Sequence, residues 1–263
     1  MRVPASFCGL YGLRPTHGRV DLSGAMGMSP SFDVAGWFAS APGVFRKVGS
    51  VLLQGEGNKA SIRRMIVADD AFAEADSGVA AMLYDALDRM RAVLPAPEHD
   101  RIAPEGLDAW REIFRIVQAK EIWETYGDFV ERHRPKFGPG IRERMEFAAT
   151  VNAEVAATAR QRRAAASDRI RSILQPGTIV ALPAAPCVAP PLEISAGEME
   201  SFRNRTFRLT SVAGLSGLPQ VAIPAGTVGG LPAGLSFIGS EGSDEILLDL
   251  AVTLASFAGS AAA

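Results

Sequence analysis

The longest apolar stretch of the chain, Ile179 to Leu192, is interrupted by Pro183, Pro186, Pro190 and Pro191. Proline removes a backbone donor and clashes with the preceding helical turn, so this stretch can neither hold a regular helix nor span a bilayer. What remains is Thr178 to Leu182, which reads as a short buried strand running into a Pro-rich loop. The most apolar part of the protein therefore belongs to a sheet, and no transmembrane segment is expected. The 263 residues are enough for one large domain or two small ones. At 48% hydrophobic and 21% charged, the composition is that of a globular protein. The 27 Lys+Arg against 29 Asp+Glu leave a net charge of -2, without the basic field that phosphate tracking needs, so nucleic acid is not an expected partner. Cys8 and Cys187 are the only cysteines, too few and too far apart for a disulfide framework or a repeated zinc motif, and a reducing compartment fits. Pro4, Gly9, Gly12 and Arg14 break up any signal-peptide core, so the expected location is the cytoplasm.

Around that strand, the remaining pattern alternates helices and strands. Residues 1 to 43 are rich in Gly, Pro and Ser and read as loops close to function. Val44 to Gln54 reads as a helix, and Ile62 to Ala68 as a strand that turns at Asp69-Asp70. From Val79, the positions Met82, Leu83, Ala86, Leu87, Met90, Val93 and Leu94 follow helical spacing until Pro95-Ala-Pro97. Leu107 to Arg132 and Ile141 to Leu174 read as two helices joined by a Pro- and Gly-containing turn. A polar helix is expected from Glu198 to Leu215, strands at Gln220 to Ile223 and Gly234 to Ile238, and an apolar helix from Glu245 to Phe257. This order implies α/β layers with a largely buried sheet. One domain over residues 1–257 and an Ala-rich tail over 258–263 follow.

Few residues stand out as chemistry on their own. Cys8 lies nine positions before His17, and a thiolate needs a neighbouring base, but a small buried Cys is the commoner reading. The three histidines, His17, His99 and His133, have no metal-binding spacing. Gly55-Glu-Gly57 follows a helix instead of a strand, which fits a helix end better than a phosphate loop. Asp69-Asp70 fits a strand-end turn better than a ligand site. The Arg160 to Arg163 cluster reads as a solvated helix face.

The opening Met1-Arg-Val-Pro-Ala-Ser-Phe-Cys-Gly-Leu-Tyr-Gly-Leu-Arg-Pro-Thr-His17-Gly resembles the segment directly after the nucleophile in the amidase signature family. Ser31-Phe-Asp-Val-Ala-Gly-Trp-Phe38, the stretch Glu121 to Arg144 and the segment Thr210 to Pro224 resemble the branch holding plant-type indoleacetamide hydrolases and an amidase-like chloroplast import receptor. The resemblance implies an amidase-like mixed sheet flanked by helices, with the N-terminal part of that fold missing. It implies a parent that hydrolyses small carboxamides without metal or organic cofactor, through a Ser, a bridging Ser and a Lys. In the family's Gly-Gly-Ser-x-Arg-x-Pro run, Met1, Arg2 and Pro4 match the x, Arg and Pro. The nucleophile is then expected immediately before Met1, no catalytic residue is expected in these 263 residues, and the chain alone should be inactive. Arg2 and Pro4 are implied to support the site, Arg2 with its acidic partner gone, and Cys8, Phe32 and Trp37 are implied to lie near the acyl pocket. Unpaired strand edges left by the missing part would invite association, so a homo-oligomer is an expected partner. The alternatives are a non-catalytic amidase-like binding or scaffold protein, and a truncated gene product without function.

Overall fold

In the computed structural model, which describes residues 1–138 and 140–258, a mixed seven-stranded sheet is flanked by helices on both faces. Its strands are β1 (Tyr11–Arg14), β2 (Trp37–Ala39), β3 (Arg64–Ala68), β4 (Pro97–Asp100), β5 (Thr178–Pro183), β6 (Gln220–Val228) and β7 (Leu231–Gly239), in the order β2-β1-β6-β7-β5-β3-β4. β3 pairs parallel with β4 and β5, and the remaining pairings are antiparallel. The strand expected from the Pro-interrupted stretch is β5, buried along its whole length in the middle of the sheet.

One face of the sheet packs against α2 (Pro42–Leu52), α4 (Ser77–Arg89) and α9 (Asp244–Ala258), around Leu13, Trp37, Phe45, Leu83 and Leu247. The other meets α5 (Leu107–His133), α7 (Ala153–Ile173) and α8 (Ala196–Ser216), around Ile66, Trp110, Ile113, Val180 and Ile238. The apolar spacing explains both: Val79, Leu83, Ala86 and Leu87 are the buried stripe of α4, and Leu107, Trp110, Ile113 and Val117 that of α5. Each fully buried side chain of this size contributes roughly 1.5–3 kcal/mol.

Four local expectations are corrected. The first 43 residues contain, besides loops, α1 (Arg2–Phe7) and the wholly buried β1. α1 forms because the sheet beneath it is built of small residues: a Cβ on Gly12 would stand 2.7 Å from Ala5 Cβ, and Ser6 Oγ accepts from Gly234 N at 2.8 Å. Residues 141–174 are two helices, α6 (Ile141–Thr150) and α7, because Val151 is extended and the Asn152 side chain caps α7 by accepting from Val155 N at 2.9 Å. α4 ends at Arg89, a turn before the prolines, and Pro97 opens β4, an edge strand of sequence Pro-Glu-His-Asp. That edge is short and polar, whereas the opposite edge, β2, is three apolar residues with Phe38 exposed. β6 and β7 are longer than their expected cores and form a hairpin turned by Gly229 and Gly230, at φ +60° and +80°. Residues 259–263 of the expected tail lie outside the described residues. No helix among the described residues is long and apolar enough to cross a membrane.

Candidate active site

Cross-strand partners share a sheet face, so the registers Ile66↔Val180, Val180↔Ile238, Ile238↔Gln220 and Gln220↔Arg14 form one row across β3, β5, β7, β6 and β1. The row is apolar under α5, α7 and α8 and turns polar at Gln220 and Arg14, where α1 covers it. From α1, Arg2 reaches that polar end: Nη1 donates to Gln220 Oε1 and Nη2 donates to Thr210 O at 3.1 Å. Arg14 is 8% exposed, and its Nη1 donates to Phe32 O at 3.2 Å. No carboxylate is hydrogen-bonded to either guanidinium among the described residues. Burial, and then Arg14, push Arg2 down to about 9. Burial, and then Arg163, push Arg14 down to about 10, with Asp33 pulling partly the other way. The Met1 ammonium is also held below its ordinary value, by burial first and then by Arg2 and Arg14. Guanidinium groups keep their protons in proteins, so this downward pressure marks a place that favours incoming negative charge.

The outer wall is the 29–33 loop, clamped from α5 and α7. Glu121 accepts from Ser29 Oγ at 2.6 Å and from Ser31 N at 3.1 Å, and Arg163 donates to Ser31 Oγ, to Ser31 O at 2.9 Å and to Leu215 O at 3.2 Å. Arg163 also lies over the Phe32 ring at 4.0 Å, and Phe32 packs on Phe114 at 4.4 Å. Arg163, expected on a solvated face, is therefore half-buried and bound to the site wall.

The other expected residues are dispersed. Trp37 is on the opposite face of the sheet from Phe32, with its Nε1 donating to Phe45 O at 3.0 Å, so the two do not line a common pocket. Cys8 is exposed just after α1, and Pro4 is exposed within it. His17 follows the far end of β1, where its Nε2 meets Pro30 O at 2.9 Å, so the strand separates it from Cys8. Among the described residues, no group of three or more His, Cys, Asp and Glu could hold a metal ion. Arg14, Gln220, Thr210, Ser31 and Glu121 were not legible as site residues. Arg14 ends β1, in a region that reads as loops, and its one signal was its place in the stretch that resembles the family.

A concavity of about 370 Å³ lies beyond the carboxyl ends of β3 and β4, lined by Asp69, Asp70, Glu74, Asp108 and Arg208 among others. Its carboxylates already have partners. Asp69 meets His99 Nδ1 at 2.7 Å, Asp70 accepts from Ile102 N at 3.2 Å and Ala103 N at 2.9 Å, and Arg208 joins Glu74 at 3.1 Å to Asp108 at 2.9 Å. In place of the expected turn, Asp69 and Asp70 open the short helix α3 (Asp69–Phe72), and Asp70 ties the 102–103 segment to it.

A family model described as Amidase matches residues 1–77 and 99–248. Amidase 1 of Arabidopsis thaliana is 32% identical, the match covering 98% of this chain and 68% of that protein. The chloroplastic Outer envelope protein 64 of the same plant is 29% identical, over 97% of this chain and 48% of that protein. A crystal structure of an amidase shares the fold, with a TM-score of 0.85 at 23% identity, over 97% of this chain and 60% of that one. The chain spans between about half and two thirds of the length of these relatives. By the extent of the family match and the identity to a plant amidase, this chain belongs to the amidase signature family.

Proposed function

We propose that the chain is the C-terminal portion of a hydrolase of small carboxamides, whose nucleophilic Ser directly precedes Met1, and that the 263 residues alone do not turn over amides. The observation that carries this reading is the seating of α1: the segment that resembles the stretch after the nucleophile lies beside Arg2, Arg14 and Gln220, at the polar end of the sheet row. Attack on a carboxamide builds negative charge on the carbonyl oxygen, and a water-poor cationic surround stabilises such charge more than water does. In this reading Arg2, tied to Gln220 and Thr210 O, holds the start of α1 in place, and Arg14 supplies positive potential without touching the reacting atoms. The unpaired Cys8 and Cys187 support a reducing location, the cytoplasm.

The test compares this chain with one extended in frame upstream of Met1, using a panel of aryl acetamides and a serine-directed fluorophosphonate. The reading expects neither turnover nor labelling of the short chain, and both in the extended one, with the label on the residue before Met1. Turnover by the short chain that vanishes in Cys8→Ala would overturn it in favour of thiol chemistry. A second reading, an amidase-like binding protein without catalysis, is supported by the match to Outer envelope protein 64. It expects the upstream frame to lack the Ser and the extended chain to remain unlabelled.

A further inference from the structure

Of the N–H groups on Arg14, Nη1 is spent on Phe32 O at 3.2 Å, while Nε and Nη2 are buried and have no hydrogen-bond partner among the described residues. Those two groups lie on one side of the planar guanidinium with their bonds nearly parallel, a spacing that matches the two oxygens of one carboxylate. Elsewhere in this chain the same edge grips carboxylates. Arg64 holds Glu98 with Nε at 2.9 Å and Nη2 at 2.6 Å, and Arg115 holds Glu112 with Nε at 2.9 Å and Nη2 at 2.6 Å. Both of those pairs are exposed, whereas Arg14 is 8% exposed and presents the edge inside the protein. Asp33, the carboxylate whose charge Arg14 feels, has one oxygen engaged by Met28 N at 2.7 Å and Ser29 N at 2.9 Å. Arg2 and Arg163 add positive charge around Arg14 and have their own partners. Buried donors on a cation are rarely left unmatched.

We propose that the Nε–Nη2 edge of Arg14 is a two-point seat for one carboxylate, with Arg2 and Arg163 supplying the surrounding positive potential. The ligand is a carboxylate group, either a free small monocarboxylic acid or an Asp or Glu side chain of the polypeptide itself. The seat does not depend on amide hydrolysis, so a chain without turnover still binds.

The test is titration of the purified chain with sodium acetate at constant ionic strength, following the Arg14 Nε–H resonance, assigned by its loss in Arg14→Lys, together with the melting temperature. A saturable shift with acetate and none with chloride is expected. Arg14→Lys keeps the charge but loses the two-point edge, so it should weaken the acetate-dependent rise in melting temperature at least tenfold in apparent affinity. A chain extended upstream of Met1 separates the two sources. If it shows the bound resonance without acetate, the ligand is one of its own carboxylates, and if it titrates like the short chain, the ligand is a free acid. An Nε–H resonance that acetate leaves in place in both chains, with the short chain never saturating, overturns the seat. So does an equal acetate response in Arg14→Lys.

Discussion

At the β3–β4 end of the sheet, Asp69, Asp70, Glu74 and Asp108 each meet a side-chain or backbone partner. At the β1–β6 end, Arg2 and Arg14 lie within reach of each other's charge, and neither guanidinium is hydrogen-bonded to a carboxylate among the described residues. The first arrangement has its partners within the chain and holds a loop in place. The second is maintained against desolvation and mutual repulsion, which stability does not explain. On the reading proposed above, the concavity beside β3 and β4 is architectural, and the Arg2–Arg14 corner is the one suited to negative charge.

The comparison breaks most visibly under substitutions of opposite sign. Asp70→Ala strips the partner from Ile102 N and Ala103 N, and should cost about 2–3 kcal/mol in urea unfolding. Arg14→Met removes a buried cation with two unmatched donors and should leave stability unchanged or raise it by about 1 kcal/mol. A loss of 2 kcal/mol or more in Arg14→Met would show that Arg14 is architectural after all.

Next in size is Gly12→Val. Its new Cβ would stand 2.7 Å from Ala5 Cβ and 3.4 Å from Met1 O, so it should lift α1 from the sheet at about 1–3 kcal/mol. Amide exchange should quicken across residues 2–10 and stay slow in β3 and β5.

The pH response should also differ in sign between the two regions. Hydrogen bonds from Arg111, and less so from Arg208, hold the Asp108 carboxyl below its ordinary value. Its contribution is present above the unfolded-state value of about 3.9 and is lost as pH falls through the lower native value. Asp108→Asn should therefore flatten the acid limb of the stability curve. The Met1 ammonium is also depressed, but as a cation it makes the native state bind fewer protons than the unfolded one. It costs stability below its native value, and the cost fades as pH rises towards about 8, the unfolded value. An Nα-acetylated chain should melt higher than the free amine at pH 6, with the gap closing by pH 9, and Arg14→Gln should move the α-amino titration upward. The smallest effect is expected at Cys8, exposed beyond α1, where Cys8→Ala should stay within about 0.5 kcal/mol.

The α/β layering was legible because β5, α4, α5 and α9 declare themselves by apolar period and by proline and glycine stops. What escaped was set by tertiary contacts. α1 is too short to form from propensity and exists because Gly12 and Gly234 let it approach the sheet. β4 is a polar strand that only its neighbour β3 makes regular. The resemblance drew attention to the corner at which Arg2 meets Gln220 and Thr210 O. Phe32 and Trp37, five residues apart, are divided between the two faces of the sheet, and Arg163 is drawn inward by Ser31 from a run that reads as solvated surface. None of these placements leaves a trace in residue spacing.

The most direct test is amide turnover by the upstream-extended chain carrying, in turn, Arg14→Gln and Asp69→Asn. The account predicts that Arg14→Gln lowers kcat/KM by about tenfold, the size of effect expected when a nearby unit charge is lost in a poorly solvated site. Asp69→Asn should leave it within about twofold, because Asp69 is already paired with His99. Loss of turnover in Asp69→Asn with Arg14→Gln unaffected would contradict the account and move the working site to the β3–β4 cavity.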